Sequence, residues 1–285
     1  MQIVIGTATF GTDYGVANKG RVQTKSEALA ILTEAQHLGV FDLDTSPEYQ
    51  NAEEIIGKFH SSHSKFNCYS KISRRMLNSP SETLLSLGNS LKLMKIDSLS
   101  GLYFHNPDEL LAIDPEDIEN LIDSIEETNR VQKIGASVYE LEEILKIRER
   151  HPRITLFQVP ENIADQRLRH SDQIESLHER GVEFHVRSIF LQGLLLMKNA
   201  PAHLAGAQPF LDRLNEAARI RNCSPLHLCL NYVKQLGWAS KFVIGVSDAI
   251  QLDEIMLAVN SANEEVQIEA VLPELIRDPR NWHHE

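Results

Sequence analysis

Eight short apolar runs, rich in β-branched and aromatic residues, alternate with longer stretches of helical spacing from one end of the chain to the other. The runs are QIVIG (2–6), VFDLD (40–44), FNCYSKI (66–72), SLSGLYFH (98–105), VQKIGAS (131–137), ITLFQVP (154–160), EFHVRS (183–188) and KFVIGV (241–246). Between them the spacing predicts helices at about 25–38, 51–60, 81–94, 116–129, 139–150, 171–180, 209–220 with 225–236, and 249–260. Parallel strands joined by helices need crossovers of this length. Eight such units in 285 residues fit a closed (β/α)8 TIM barrel better than an open sheet. The runs do not alternate cleanly between polar and apolar, which suits strands covered on both faces. Ser81 before Glu82 with Pro80 ahead of it, and Asp114 before Pro115, read as helix N-termini. No linker, repeat or low-complexity tract divides the chain, so a single domain over 1–285 is expected. The one long connection, SIFLQGLLLMKNAPAHLAGAQ at 188–208, has the length of a lid or a cofactor-covering loop.

Charge narrows the partners. With 28 basic against 40 acidic residues the net charge is -12, and a polyanion would be repelled unless a basic stripe intervened. SRR at 73–75 and RIRN at 219–222 are too short for one and read as solvated faces, so no nucleic-acid partner is expected. Three cysteines without ligand spacing, Cys68, Cys223 and Cys229, point to a reducing compartment. MQIVIGTATFG carries no basic leader, and SIFLQGLLLM is too short and interrupted to span a bilayer. A cytoplasmic protein away from the membrane is expected, as a monomer or a homodimer. HSSH at 60–63 has helical metal spacing but no third ligand nearby, so no metal is expected. His185, inside the seventh run, reads as a core histidine.

In such a barrel the chemistry gathers where strands end. Asp44 closes the second run, Lys71 lies near the end of the third, and His105 closes the fourth; Tyr49 follows in the turn made by Pro47. Consecutive strands are neighbours, so these side chains share one sector of the rim. A neighbouring ammonium lowers the pKa of a phenol, and a buried ammonium needs an opposing carboxylate to stay charged. Lys71 and Asp44 would therefore tune Tyr49 as a proton donor, with His105 holding a substrate oxygen against it. The set suits protonation of a carbonyl oxygen as hydride arrives from elsewhere. The plainer reading of Asp44 and Lys71 is a structural ion pair at the rim.

An ordered series of motifs resembles the aldo-keto reductase family over about residues 3–260. It comprises GTATFG (6–11), DTSPEYQNAEEIIG (44–57), SKIS around Lys71, LYFHNPD (102–108), IGASVYE, FQVPENIADQR, VRSIFLQGLL and VIGVSDAIQLDE. The resemblance implies a TIM-barrel oxidoreductase that reduces an aldehyde or ketone with NADP(H), with NAD(H) as the other possible carrier. It makes Tyr49 the general acid, Lys71 and Asp44 its tuning pair, and His105 the carbonyl-orienting residue. Carried over in the same way, Gly6 and Thr7 belong to the cofactor side. Ser137 and Gln158 hold the nicotinamide carboxamide, and Arg187 takes the place of an aromatic stacked on the ring. Ser188, Gly193, Gly245, Ser247, Gln251 and Glu254 line the phosphate and adenosine end. GTATFGTDYGVANKG is similar to a branch associated with surface-polysaccharide sugars, a pointer to a sugar-like carbonyl.

This chain departs from the family pattern at Ser46, Gln50, Val138 and Ile255. Where many members place Lys and Arg near the 2′-phosphate, it has Gly245, Asp248 and Gln251, and an inward Asp248 would repel a phosphate. Two other functions therefore stand beside carbonyl reduction. One is a redox-inactive ligand-binding or regulatory protein on the same fold; the other is a lyase using Lys71 as a Schiff-base lysine.

Overall fold

A computed structural model describes the chain apart from residues 13–14, 17–21, 73–78, 262–264, 267, 269–270 and 283–285. The SRR cluster at 73–75 and part of the GTDYGVANKG stretch lie outside the described residues. All eight predicted strands form: β1 Gln2–Gly6, β2 Asp42–Asp44, β3 Asn67–Ile72, β4 Gly101–Phe104, β5 Ile134–Ser137, β6 Leu156–Pro160, β7 Glu183–Arg187 and β8 Ala239–Gly245. They pair in sequence order, every pair parallel, and β8 returns to β1 to close the barrel. β4, β5 and β6 are buried at every position, as strands covered on both faces must be.

The outer layer consists of α1 Lys25–His37, α2 Ala52–Phe59, α3 Pro80–Met94, α4 Pro107–Ala112, α5 Pro115–Glu127, α6 Leu141–Arg150, α7 Asp172–Glu179, α8 Gln208–Ile220, α9 Pro225–Lys234, α10 Ala249–Ser261 and α11 Glu274–Arg277. The helix starts follow local chemistry. Thr24 and Glu27 form a capping box on α1, and Asp114 caps α5 with Pro115 in its first turn. The start of α3 differs from expectation. Ser79, not Ser81, accepts the Glu82 amide, because Pro80 at the first helical position places the cap immediately before it. The spacing also does not predict α4, a six-residue helix capped by Asn106. Among the described residues no helix is long and apolar enough to cross a membrane.

The core has two compartments. Between the strands and the helices runs the large apolar layer; inside the barrel Tyr69, Tyr103 and Leu156 form a separate cluster. Glycines make room for the two rings. A Cβ at Gly101 would stand 2.7 Å from the Tyr69 ring, and one at Gly135 would stand 2.9 Å from the Tyr103 ring and 2.4 Å from the Leu156 carbonyl.

The connection at 188–208 is not a free-standing lid. It folds into 3-10 turns at Leu194–Leu196 and Ala202–Ala207, and Ile189, Phe190, Leu191, Leu194, Leu195 and Leu204 are buried. Its apolar side chains pack it down. Ser188, Leu191 and Gln192 take positive φ values of 60°, 46° and 54°, a conformation costly outside glycine, followed by Gly193 at 87°.

Candidate active site

β2 stops at Asp44 because the next residues turn. The Tyr49 amide donates to the Ser46 carbonyl at 3.0 Å, the Glu48 amide to the Ser46 hydroxyl at 3.2 Å, and the Ala52 amide to the Tyr49 carbonyl at 2.9 Å, which leads the chain into α2. Thr7 secures the strand end from β1: its amide and hydroxyl both donate to the Asp44 carbonyl, at 2.9 and 3.0 Å.

Lys71 Nζ donates to Asp44 Oδ2 at 2.6 Å and to the Thr45 carbonyl at 3.1 Å, and stands 5.1 Å from the centre of the Tyr49 ring. Asp44 Oδ1 accepts from Gln158 Nε2 at 2.8 Å. Asp44 and Lys71 are buried, so each charge depends on the other. Burial disfavours the Lys71 ammonium, but Asp44 and Tyr49 outweigh it and hold the group above its ordinary pKa. Tyr49 departs from the expected tuning. Burial raises its phenol and Asp44 adds to the rise, so that Lys71, pulling downward, offsets the shift without reversing it. Tyr49 is thus held protonated more firmly than the sequence implies.

His105 sits at the end of β4 with Nδ1 3.2 Å from Glu48 Oε2. Burial, followed by the charge of Lys71, lowers its pKa against the pull of Glu48. Sequence reasoning misses Glu48, since nothing in the motif marks the residue before the tyrosine.

A cavity of about 170 Å³ opens at the carboxyl ends of β1, β2, β6, β7 and β8. Of the residues expected on the cofactor side, Gly6, Gln158, Arg187, Ser188, Gly193, Gly245, Ser247 and Gln251 line it together with Asp44 and Tyr49. Thr7, Ser137 and Glu254 do not. Thr7 is buried on the Asp44 carbonyl, Ser137 is buried at the end of β5, and Glu254 faces solvent on α10. Lys71 lies behind Asp44, outside the lining.

At the far end Asp248 does not reach inward as a free charge. Its Oδ1 accepts the Gln251 amide at 2.8 Å at the start of α10, while Gln251 Oε1 accepts the Ser247 amide at 2.7 Å. Gln23 ties this corner down by donating to the Val246 and Ser247 carbonyls at 2.7 and 2.9 Å. Arg187 lies over Tyr139, its guanidinium carbon 4.3 Å from the ring centre, and Arg280 from the C-terminal segment stands 3.5 Å from the same ring.

The histidines outside this cluster are spent on structure. His60 uses Nδ1 on the Met94 carbonyl at 2.8 Å and Nε2 on the Phe66 amide at 3.0 Å, which leaves no lone pair for a metal at HSSH. His185 lies between the Tyr103 hydroxyl and Glu183, each at 2.7 Å.

Known proteins share both the sequence pattern and the barrel. The Aldo/keto reductase family model matches residues 2–271. Among solved structures, the thermostable aldo-keto reductase Tm1743, crystallised with the inhibitor epalrestat, superposes with a TM-score of 0.72 at 20% identity, covering 90% of this chain and 89% of that one. A Pseudomonas aeruginosa protein described as an aldo-keto reductase, PA4992, gives 0.68 at 17% identity over 91% and 89%. At such identities these two likenesses establish the fold alone. Among curated proteins none matches the chain. With the family model spanning nearly the whole barrel, the chain belongs to the aldo/keto reductase family, whose general chemistry is carbonyl reduction.

Proposed function

We propose that the protein, acting as one domain over residues 1–285, reduces an aldehyde or ketone using NADP(H), with Tyr49 as the general acid. The observation that carries this reading is the buried Asp44–Lys71 pair set against Tyr49 at the mouth of the cavity. A bound dinucleotide would supply the hydride. Gln158 and Arg187 would hold its nicotinamide end, and Ser188, Gly193, Gly245, Ser247 and Gln251 its phosphates and adenosine. The lining suits a dinucleotide, with polar groups at the chemical end and open space beside Gly245 where a side chain would intrude. Tyr49, protonated because burial keeps it so, delivers its proton to the carbonyl oxygen, and the charged Lys71 stabilises the phenolate as it forms. His105 orients the same oxygen.

The cavity bears no basic side chain at its Gly245–Gln251 end, so NADH stands as the second carrier, and a redox-inactive ligand binder on this fold is the competing reading. A Schiff-base role for Lys71 fits poorly, because an ammonium paired with Asp44 and held above its ordinary pKa is a weak nucleophile. Titration of the protein with NADPH and NADH, followed by nucleotide oxidation in the presence of a panel of aldehydes, tests the reading. Binding without oxidation of either nucleotide would favour the ligand binder.

A further inference from the structure

Two charged side chains line the cavity, Asp44 and Arg187, and their situations differ. Asp44 is fully engaged by Lys71 and Gln158. Arg187 meets only neutral acceptors, the Val138 carbonyl at 3.2 Å from Nη2 and the Ser188 hydroxyl at 3.3 Å from Nη1. Among the described residues no carboxylate lies within ion-pairing distance of it, in a chain with 40 acidic residues. Arg280, which shares the face-to-ring packing on Tyr139, has its own counter-ion in Asp278 at 2.6 Å. A half-buried guanidinium offers five N–H donors, and two are used here. The Tyr139 ring fixes its plane, which is the arrangement that receives an oxyanion edge-on. Arg187 also acts on the charges of Tyr49 and His105, which puts it at the chemical end of the cavity.

We infer that the carbonyl substrate itself carries an oxyanion, a carboxylate or a phosphate, and that Arg187 binds it. This rests on the carbonyl-reductase reading above and narrows it to acidic aldehydes and ketones, including acidic or phosphorylated sugars. Asp44 contributes no competing charge because Lys71 neutralises it.

The test compares substrates matched except for charge: succinic semialdehyde with butanal, and glyceraldehyde 3-phosphate with glyceraldehyde, for the native protein, Arg187→Met and Arg187→Lys. In the native protein the acidic member of at least one pair should have the higher kcat/KM, and which pair shows it tells carboxylate from phosphate. Arg187→Met should lose about 10- to 100-fold on the acidic member, mainly through KM, and stay within about threefold on the neutral one, as expected for losing hydrogen bonds to a charged group. Arg187→Lys should recover part of the loss. NADPH affinity should hold in all three proteins. The inference is overturned if the native protein prefers neither acidic substrate, or if Arg187→Met weakens NADPH and treats acidic and neutral substrates alike, since the anion would then be the dinucleotide's. If no carbonyl is turned over, the reductase reading fails and calorimetry decides the anion site separately. Malonate or inorganic phosphate binding to the native protein but not to Arg187→Met supports the site, and binding to neither protein or to both equally removes it.

Discussion

Gln158 and Asp44 lie 114 residues apart in the chain, yet Gln158 Nε2 donates to Asp44 Oδ1 at 2.8 Å inside the barrel. A carboxylate only accepts, so this bond fixes which end of the amide faces Asp44 and leaves Gln158 Oε1 as the atom it can present to the cavity. With Lys71 on the other oxygen, the carboxylate is pinned at both ends. The strand-end acid, the ammonium and the amide thus form one rigid unit beneath Tyr49.

Replacing Tyr49 with Phe removes the proton donor and little else. Turnover should fall by about 10²- to 10⁴-fold, the usual contribution of a general acid, while dinucleotide affinity changes by less than about threefold. Steady-state kinetics beside a fluorescence titration would show the split. Near-native turnover would remove Tyr49 from the proposed chemistry.

Lys71→Met strands the Asp44 carboxylate in a buried site. Breaking a buried pair from one side costs about 3–5 kcal/mol, which denaturant unfolding would read as a lower midpoint. The same change removes the one strong downward pull on the Tyr49 phenol, whose pKa then rises further. Since the acid form is the active one, the alkaline limb of the residual activity profile should move to higher pH.

Asp248 is expected to weaken NADPH through its charge while serving as a helix cap through its geometry. Asp248→Asn keeps an acceptor for the Gln251 amide and removes the charge. NADPH affinity should improve by several-fold, on the order of 1 kcal/mol for one nearby charge at the surface, with NADH affinity unchanged. Parallel titrations with both nucleotides check this; equal gains for the two would place Asp248 away from any 2′-phosphate.

Glu161, fully buried after β6, is raised to about 8 by burial, with Tyr232 donating to one of its oxygens and the Leu168 amide to the other. The folded protein therefore holds a proton that the unfolded chain releases near the ordinary carboxyl value. Between about pH 4.5 and about 8 the folded state binds more protons, so this group makes stability fall as pH rises, by at most about 1.4 kcal/mol per unit, and the fall levels off above that window. Glu161→Gln, which never ionises, should flatten this slope and gain on the native protein toward pH 8. Thermal unfolding across that range would show it, and parallel curves for the two proteins would contradict it.

Much of the architecture can be read along the chain because strand and crossover helix are local matters. The β-branched runs at 2–6 and 154–160 and the Asp114–Pro115 helix start announce themselves within a few residues. So do the polar residues that close β2 and β4 or stand near the end of β3. Asn106 and Pro107 signal the start of α4 as well, but six residues are too few for a periodic pattern. At α3 two serines flank one proline, and the sequence does not by itself say which of them is the cap.

What cannot be read depends on burial and on partners distant in the chain. The Tyr49 phenol moves upward because desolvation exceeds the effect of Lys71, a balance set by packing from several strands. Glu48 at His105, Arg280 across Tyr139 from β7, and the packed 188–208 segment belong to the same class. Taken alone, the order of amino acids determined how many strands there are, their sequence around the barrel and which chemical groups stand at their tips, because hydrophobic period and turn chemistry act over a handful of neighbours. Tertiary structure decided which of those groups are paired, which keep their protons and which guanidinium is left facing the cavity without an acid, because desolvation and Coulomb energies depend on distances in space that the chain order does not contain.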